Sequence, residues 1–155
     1  MTPDERAVTI AVLQQNAVDY WYRVDVAGGS GVSEMFVEDG VFHAGPGEPL
    51  VGRAAIEAFY AWRRERGERT SRHVITNFHA EFDGRDGART SCVMLLYAAD
   101  GAPPHSGTQP AMVADMLDHC VRGEDGVWRY AKRDFRPLWT SGAELTVAPD
   151  SIKSA

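Results

Sequence analysis

Hydrophobic positions in the first part of the chain recur every three to four residues, and in the second half they gather into long runs broken by Gly, Pro and Asp. Ile10, Leu13, Ala17, Trp21 and Val24 form one apolar stripe, the signature of an amphipathic helix of about six turns. Its start is marked by Thr2, Pro3, Asp4 and Glu5, a capping-box pattern with proline at the first helical position. The glycines of AGGSG, Ala27 to Gly31, end it. In VSEMFVEDG the spacing of Val32, Met35 and Phe36 predicts a short second helix that closes on Asp39-Gly40. VFHAGPGEPLVGR reads as two short strands around a Gly/Pro turn. Ala54 to Arg66 reads as a third helix with Ile56, Phe59 and Tyr60 on its apolar face. Thr70 to Phe82, Ala88 to Ala98, Ala111 to Arg122 and Val127 to Trp139 are strand-like, separated by DGRDG, DGAPPHSGTQ and GEDG. Helices first and a large antiparallel meander afterwards predict an α+β domain with its helices on one face of a curved sheet. The pattern places that single domain at residues 1–140, with a loose polar tail over 141–155.

Composition narrows the function classes. The 155 residues fit one domain, and 44% hydrophobic with 25% charged residues is ordinary for a globular protein. No apolar run approaches the ~20 residues that span a bilayer. The N-terminus MTPDERAVTI is acidic where a signal peptide would be basic, so a cytoplasmic protein is expected. A net charge of -6 argues against a nucleic-acid partner. The one basic cluster, RRERGER at Arg63 to Arg69, is interleaved with Glu65 and Glu68 and reads as the solvated end of a helix. Cys92 and Cys120 sit apart in apolar strand-like runs and read as buried small hydrophobes. His43, His73, His79, His105 and His119 show no HxH or HxxxH spacing, and no phosphate loop, GxSxG elbow or dinucleotide fingerprint is present. Neither a metal nor another cofactor is expected.

TSRHVITNFHAEFDG, Thr70 to Gly84, carries the most suggestive chemistry. In an extended run His73, Ile75, Asn77 and His79 share one face, and Val74, Thr76, Phe78 and Ala80 share the other. Imidazoles and a carboxamide on one side suit the wall of a ligand pocket, and they fit a strand with a polar outer face equally well.

Four stretches, YWYRVD at Tyr20 to Asp25, MFVEDGVF at Met35 to Phe42, RHVITN at Arg72 to Asn77 and EDGVWRYAKRDF at Glu124 to Phe135, resemble in order and spacing the NTF2-like superfamily. Within it they are similar to the SnoaL-like group of polyketide cyclases, scytalone dehydratase and bile-acid dehydratase. The resemblance implies a cone-shaped fold, a strongly bent, mostly antiparallel sheet wrapped around N-terminal helices with a deep pocket. It also implies a pocket pair of aspartate and histidine, which falls on Asp25 and His73, and a tyrosine that falls on Tyr20. Counting back from DGVW brings Asp115, Leu117 and His119 to a pocket face, with Leu117 where a polar group is expected.

On this resemblance the expected function is that of a cofactor-independent lyase or isomerase, dehydratase- or cyclase-like, acting on a small hydrophobic ring compound. A carboxylate bonded to one imidazole nitrogen fixes the tautomer and raises the basicity of the other, so Asp25 would orient His73 as a general base. Tyr20 would assist a substrate carbonyl, with Tyr22 as competitor for the role, and Asp115 would donate a proton to a leaving hydroxyl. Asp118, of opposite parity, would pair with an arginine of a neighbouring strand or subunit. Trp21, Phe42, Phe59, Tyr60 and Met94 would line the pocket, with Asn77, Leu117 and His119 at its polar positions and Met116 contributing. The alternative function is a non-catalytic ligand-binding or accessory module, comparable to the beta subunit of a ring-hydroxylating dioxygenase. Val74 and Phe78 on the outer face predict that a second copy covers the sheet, giving a homodimer or homotrimer.

Overall fold

The structure is a computed structural model, and it describes residues 1–45, 47–107 and 109–142. The expected looseness of the tail falls, from residue 143 onward, outside the described residues. Helix α1, Pro3–Ala27, starts where the capping box requires. The Thr2 amide donates to Glu5 Oε2 at 2.7 Å and the Glu5 amide donates to Thr2 Oγ1 at 3.2 Å. Leu13, Ala17, Tyr20, Trp21 and Val24 are its buried stripe. The helix stops at Gly28, whose φ of 60° lies in the left-handed region that glycine enters without strain. Gly29 follows at φ 85°, and a Cβ there would lie 2.1 Å from the Tyr60 ring, so the turn works only because the backbone is bare.

The expected second helix is reduced to a single 3-10 turn, Ser33–Met35, and the chain then enters strand β1, Phe36–Phe42. Helical spacing misleads here because Phe36 and Phe42 are both inward strand residues, with a register shift between Phe36 and Val41 where β1 pairs with the last strand. Strand β2, Leu50–Val51, helix α2, Arg53–Glu65, and strands β3, Arg69–Asp83, β4, Gly87–Asp100, β5, Met112–Arg122, and β6, Trp128–Thr140, complete the fold. The sheet order is β2-β1-β6-β5-β4-β3, antiparallel except for the parallel pair β1 and β6. Two helices on a six-stranded mixed sheet make the α+β architecture expected from the sequence. No described helix is long and apolar enough to cross a membrane.

Bulges decide which residues face the helices, because each extra residue reverses the alternation of the strand beyond it. In β3 the register slips between Thr76 and His79, and Asn77 takes a φ of 55°. Ser71, His73 and Ile75 therefore point inward before the slip, and Phe78, Ala80 and Phe82 point inward after it. This corrects two expectations: Asn77 is exposed rather than in the pocket, and Phe78 packs on the core rather than facing a neighbour. Val74 is on the outer face as expected. In β6 a slip opposite His119 and Cys120 leaves Ala131 unmatched, so Trp128 and Tyr130 face inward before it and Arg133 and Phe135 after it.

Strand β5 has the parity read from sequence but the opposite orientation. Ala114, Met116, Asp118 and Cys120 are buried, whereas Leu117 and His119 are exposed on the outer face beside Asp115. The apolar majority wins the inner face, and the lone inward charge is matched by Arg133. Arg133 is fully buried and donates from Nε to Asp118 Oδ1 at 2.8 Å and from Nη2 to Oδ2 at 2.7 Å. Its guanidinium carbon lies 3.9 Å from the ring centres of both Tyr20 and Tyr130. Asp115, expected to be a proton donor in the pocket, instead bonds Arg136 Nη2 at 2.5 Å on the outer side.

Candidate active site

A cavity of about 420 Å³ opens between α1, α2 and the inner face of the sheet. Trp21 from α1, Phe42 from β1, Phe59 and Tyr60 from α2, and Met94 from β4 line it, as the sequence predicts, together with His73 from β3. Phe135 from β6 faces the same space because of the Ala131 bulge. Phe42 stacks on Tyr60 at 6.3 Å and meets Phe59 edge-on at 5.8 Å, so the wall is a packed aromatic surface.

His73 is held from three sides. Its Nδ1 lies 2.7 Å from Asp25 Oδ1, its backbone amide donates to Asp25 Oδ2 at 2.7 Å, and Trp21 stacks on its ring at 3.7 Å with an interplanar angle of 11°. Ser71 Oγ adds a fourth constraint by donating to Asp25 Oδ1 at 2.7 Å. Asp25 lies in the penultimate half-turn of α1 and His73 two positions after Ser71 on the inward face of β3, so helix end and strand start meet across 48 sequence positions. Burial opposes the charge on Asp25, but bonds from His73 and Ser71 outweigh it and hold the carboxyl below its ordinary range. Burial also lowers the His73 pKa, with Asp25 opposing in part and the Arg63 and Arg69 charges adding to the fall. The imidazole is therefore neutral at pH 7. With Nδ1 committed to Asp25, Nε2 is the nitrogen left for a ligand.

The remaining expected residues divide. Tyr20 is fully buried behind the wall, its hydroxyl 2.5 Å from that of Tyr60, and Tyr60 itself lines the cavity. Burial raises the pKa of both phenols, so both are protonated donors at neutral pH. Tyr22 is exposed, which removes it as a competitor. Asp115, Asn77, Leu117 and His119 lie outside the cavity; Leu117 and His119 instead border a shallow outer groove. His79 is also on the surface, near Glu81. Two residues read as solvated helix-end charges, Arg63 and Arg69, line the cavity. The signal for Arg63 was its position four residues after Phe59 and three after Tyr60, on the same helix face. Among the described residues no three His, Cys, Asp or Glu side chains converge as a metal site would need.

The profile of the SnoaL-like domain matches residues 5–134. The chain belongs to the SnoaL-like family. No curated protein matches it. Among solved structures, a Catenulispora acidiphila protein in complex with S-DNPA shares 25% identity over 84% of this chain and 94% of that one, with a TM-score of 0.71. A scytalone dehydratase-like protein from Novosphingobium aromaticivorans shares 20% identity over 95% of both chains, with a TM-score of 0.77. ActVI-ORFA from Streptomyces coelicolor shares 21% identity over 83% of this SnoaL-like chain and 96% of its own, with a TM-score of 0.69. The fold of this chain is thus the SnoaL-like fold that these solved structures share.

Proposed function

We propose that this SnoaL-like protein is a cofactor-independent lyase or isomerase that removes a proton beside a carbonyl of a small hydrophobic ring compound. The observation that carries the reading is His73 in the wall of a mostly apolar cavity, with Asp25 Oδ1 2.7 Å from its Nδ1. His73 donates Nδ1–H to Asp25 and offers its Nε2 lone pair. It takes the proton, and the electrons of the C–H bond pass into an enolate. The enolate oxygen accepts a hydrogen bond from Tyr60, which Tyr20 backs from behind. In a dehydration the enolate expels a β-hydroxyl, which leaves as water with the proton returned by His73. In an isomerisation the same proton returns to a different carbon. The imidazolium formed in between lies against Asp25 and the Trp21 face, both of which favour its charge. That the Catenulispora acidiphila protein forms a complex with S-DNPA supports a ligand-binding role for this chain.

Proton abstraction can be read without knowing the leaving group. Wild-type protein should accelerate loss of the α-proton NMR signal of 2-tetralone in D₂O, and His73→Gln should return the rate to the buffer value. No acceleration by the wild type, together with stoichiometric binding of the ketone, would favour the non-catalytic binding role instead.

A further inference from the structure

Among the described residues the cavity wall contains no Asp or Glu, yet two arginines line it where the end of α2 meets the start of β3. Arg69 is already answered, its Nη1 donating to Asp100 Oδ1 at 2.6 Å. Arg63 is not: its described contacts are with the Phe59 and Tyr60 rings, both 5.8 Å from its guanidinium carbon. Arg64, its neighbour, takes the acid within reach of that turn, donating to Glu57 at 3.0 Å. Two cations against the single carboxylate of Asp100 leave one positive charge beside the cavity. A cation at a helix C-terminus complements the helix dipole, which accounts for basic residues in this turn. It does not account for a half-buried guanidinium lying along an aromatic cavity whose described lining holds no acid. Arg63, Arg69 and His73 all line this one cavity, and the two guanidinium charges add to the burial that lowers the basicity of His73.

We infer that the substrate carries a carboxylate, which Arg63 binds with help from Arg69 while His73 acts on the ring. The inference deepens the proposed function and rests on the same cavity being the substrate site. A carboxylate matches the planar fork of one guanidinium and neutralises the one unanswered charge, whereas a doubly charged phosphate would exceed it. The anionic group also fixes which ring carbon meets Nε2, so Arg63 sets regiochemistry as well as affinity.

Calorimetric titration of the full chain with 2-naphthylacetate and its neutral isostere 2-naphthylacetamide tests this without turnover. The acid should bind about tenfold or more tightly than the amide, the size expected for a charge-assisted hydrogen bond. Arg63→Met should bring the two affinities together while amide binding persists, Arg63→Lys should keep part of the preference, and Arg69→Gln should weaken it. Arg63→Gln gives the same reading if the methionine variant melts early. His73→Gln should leave the acid preference intact, which separates this inference from the role of His73 as base. Equal, weaker or undetectable binding of the acid by the wild type would overturn the inference. So would an unchanged preference in a folded Arg63 variant.

Discussion

Replacing Asp25 by asparagine tests the site at its most specific point, because the change keeps the shape and alters only what the two terminal atoms can do. The carboxylate accepts three hydrogen bonds, from Ser71 Oγ and His73 Nδ1 at Oδ1 and from the His73 backbone amide at Oδ2. The backbone N–H can only donate, so it must keep the asparagine oxygen. The asparagine NH₂ then faces His73 Nδ1, which has to accept, and the ring proton moves to Nε2. The nitrogen that should abstract a proton now carries one. General-base assistance is worth about 10²- to 10⁴-fold, or roughly 2.7–5.4 kcal/mol of barrier, and Asp25→Asn should lose most of it. The assay is α-proton exchange of 2-tetralone followed by NMR, with thermal melting to confirm the fold. Wild-type rate should rise with pH through the depressed His73 pKa and level off above it, since the neutral imidazole is the active form. An Asp25→Asn rate within about twofold of wild type, at a pH where wild type exceeds buffer, would refute the tautomer argument.

Other parts of the structure make independent predictions. Arg133→Met strands a buried Asp118 and should cost about 3–5 kcal/mol in urea denaturation, with Asp118→Leu added in the same chain restoring most of it; a loss below about 1 kcal/mol for the single variant would count against the pair. Acid should weaken the fold from about pH 6.5, the ordinary His value, because the unfolded chain binds a proton that buried neutral His73 refuses. A second loss should begin below about pH 3.8 as unfolded Asp25 protonates before the folded carboxyl does; melts that stay flat from pH 7 to 5 would contradict the first part. Asn77→Val should destabilise by about 1–2 kcal/mol because a β-branched residue resists φ 55°, while Asn77→Gly should be close to neutral in the same denaturation experiment. Asp115→Asn should leave the exchange rate within about twofold of wild type, since Asp115 faces Arg136 outside the cavity; a hundredfold loss would restore it to the reaction.

Local chemistry made much of the architecture legible. The Thr2 to Glu5 box and the stripe ending at Val24 specify α1 with no help from the rest of the chain, and Ile56, Phe59 and Tyr60 do the same for α2. The aromatic lining of Trp21, Phe42, Phe59 and Tyr60 was expected once the family resemblance implied a pocket. The meeting of Asp25 with His73 was readable only through the family resemblance, since nothing in composition or spacing joins residues that far apart. Arg63 and Arg69 were hidden by the acids between them, because a mixed-charge run looks solvated whichever way each side chain points.

The sequence by itself determined α1, α2 and the four long strands, and where α1 begins and ends, because propensity, capping and turn chemistry act within a few residues. It misleads over the segment from Val32 to Gly40, which is a 3-10 turn and strand β1. Tertiary structure decided which side of each strand is the inside. The slips near Asn77 and Ala131 arise from pairing with neighbouring strands, and each reverses every side chain beyond it. That reversal sends Asn77 out to solvent and Arg133 into the core. On β5 the parity was correct, but only packing against the helices could choose Asp118 over Asp115 for the interior.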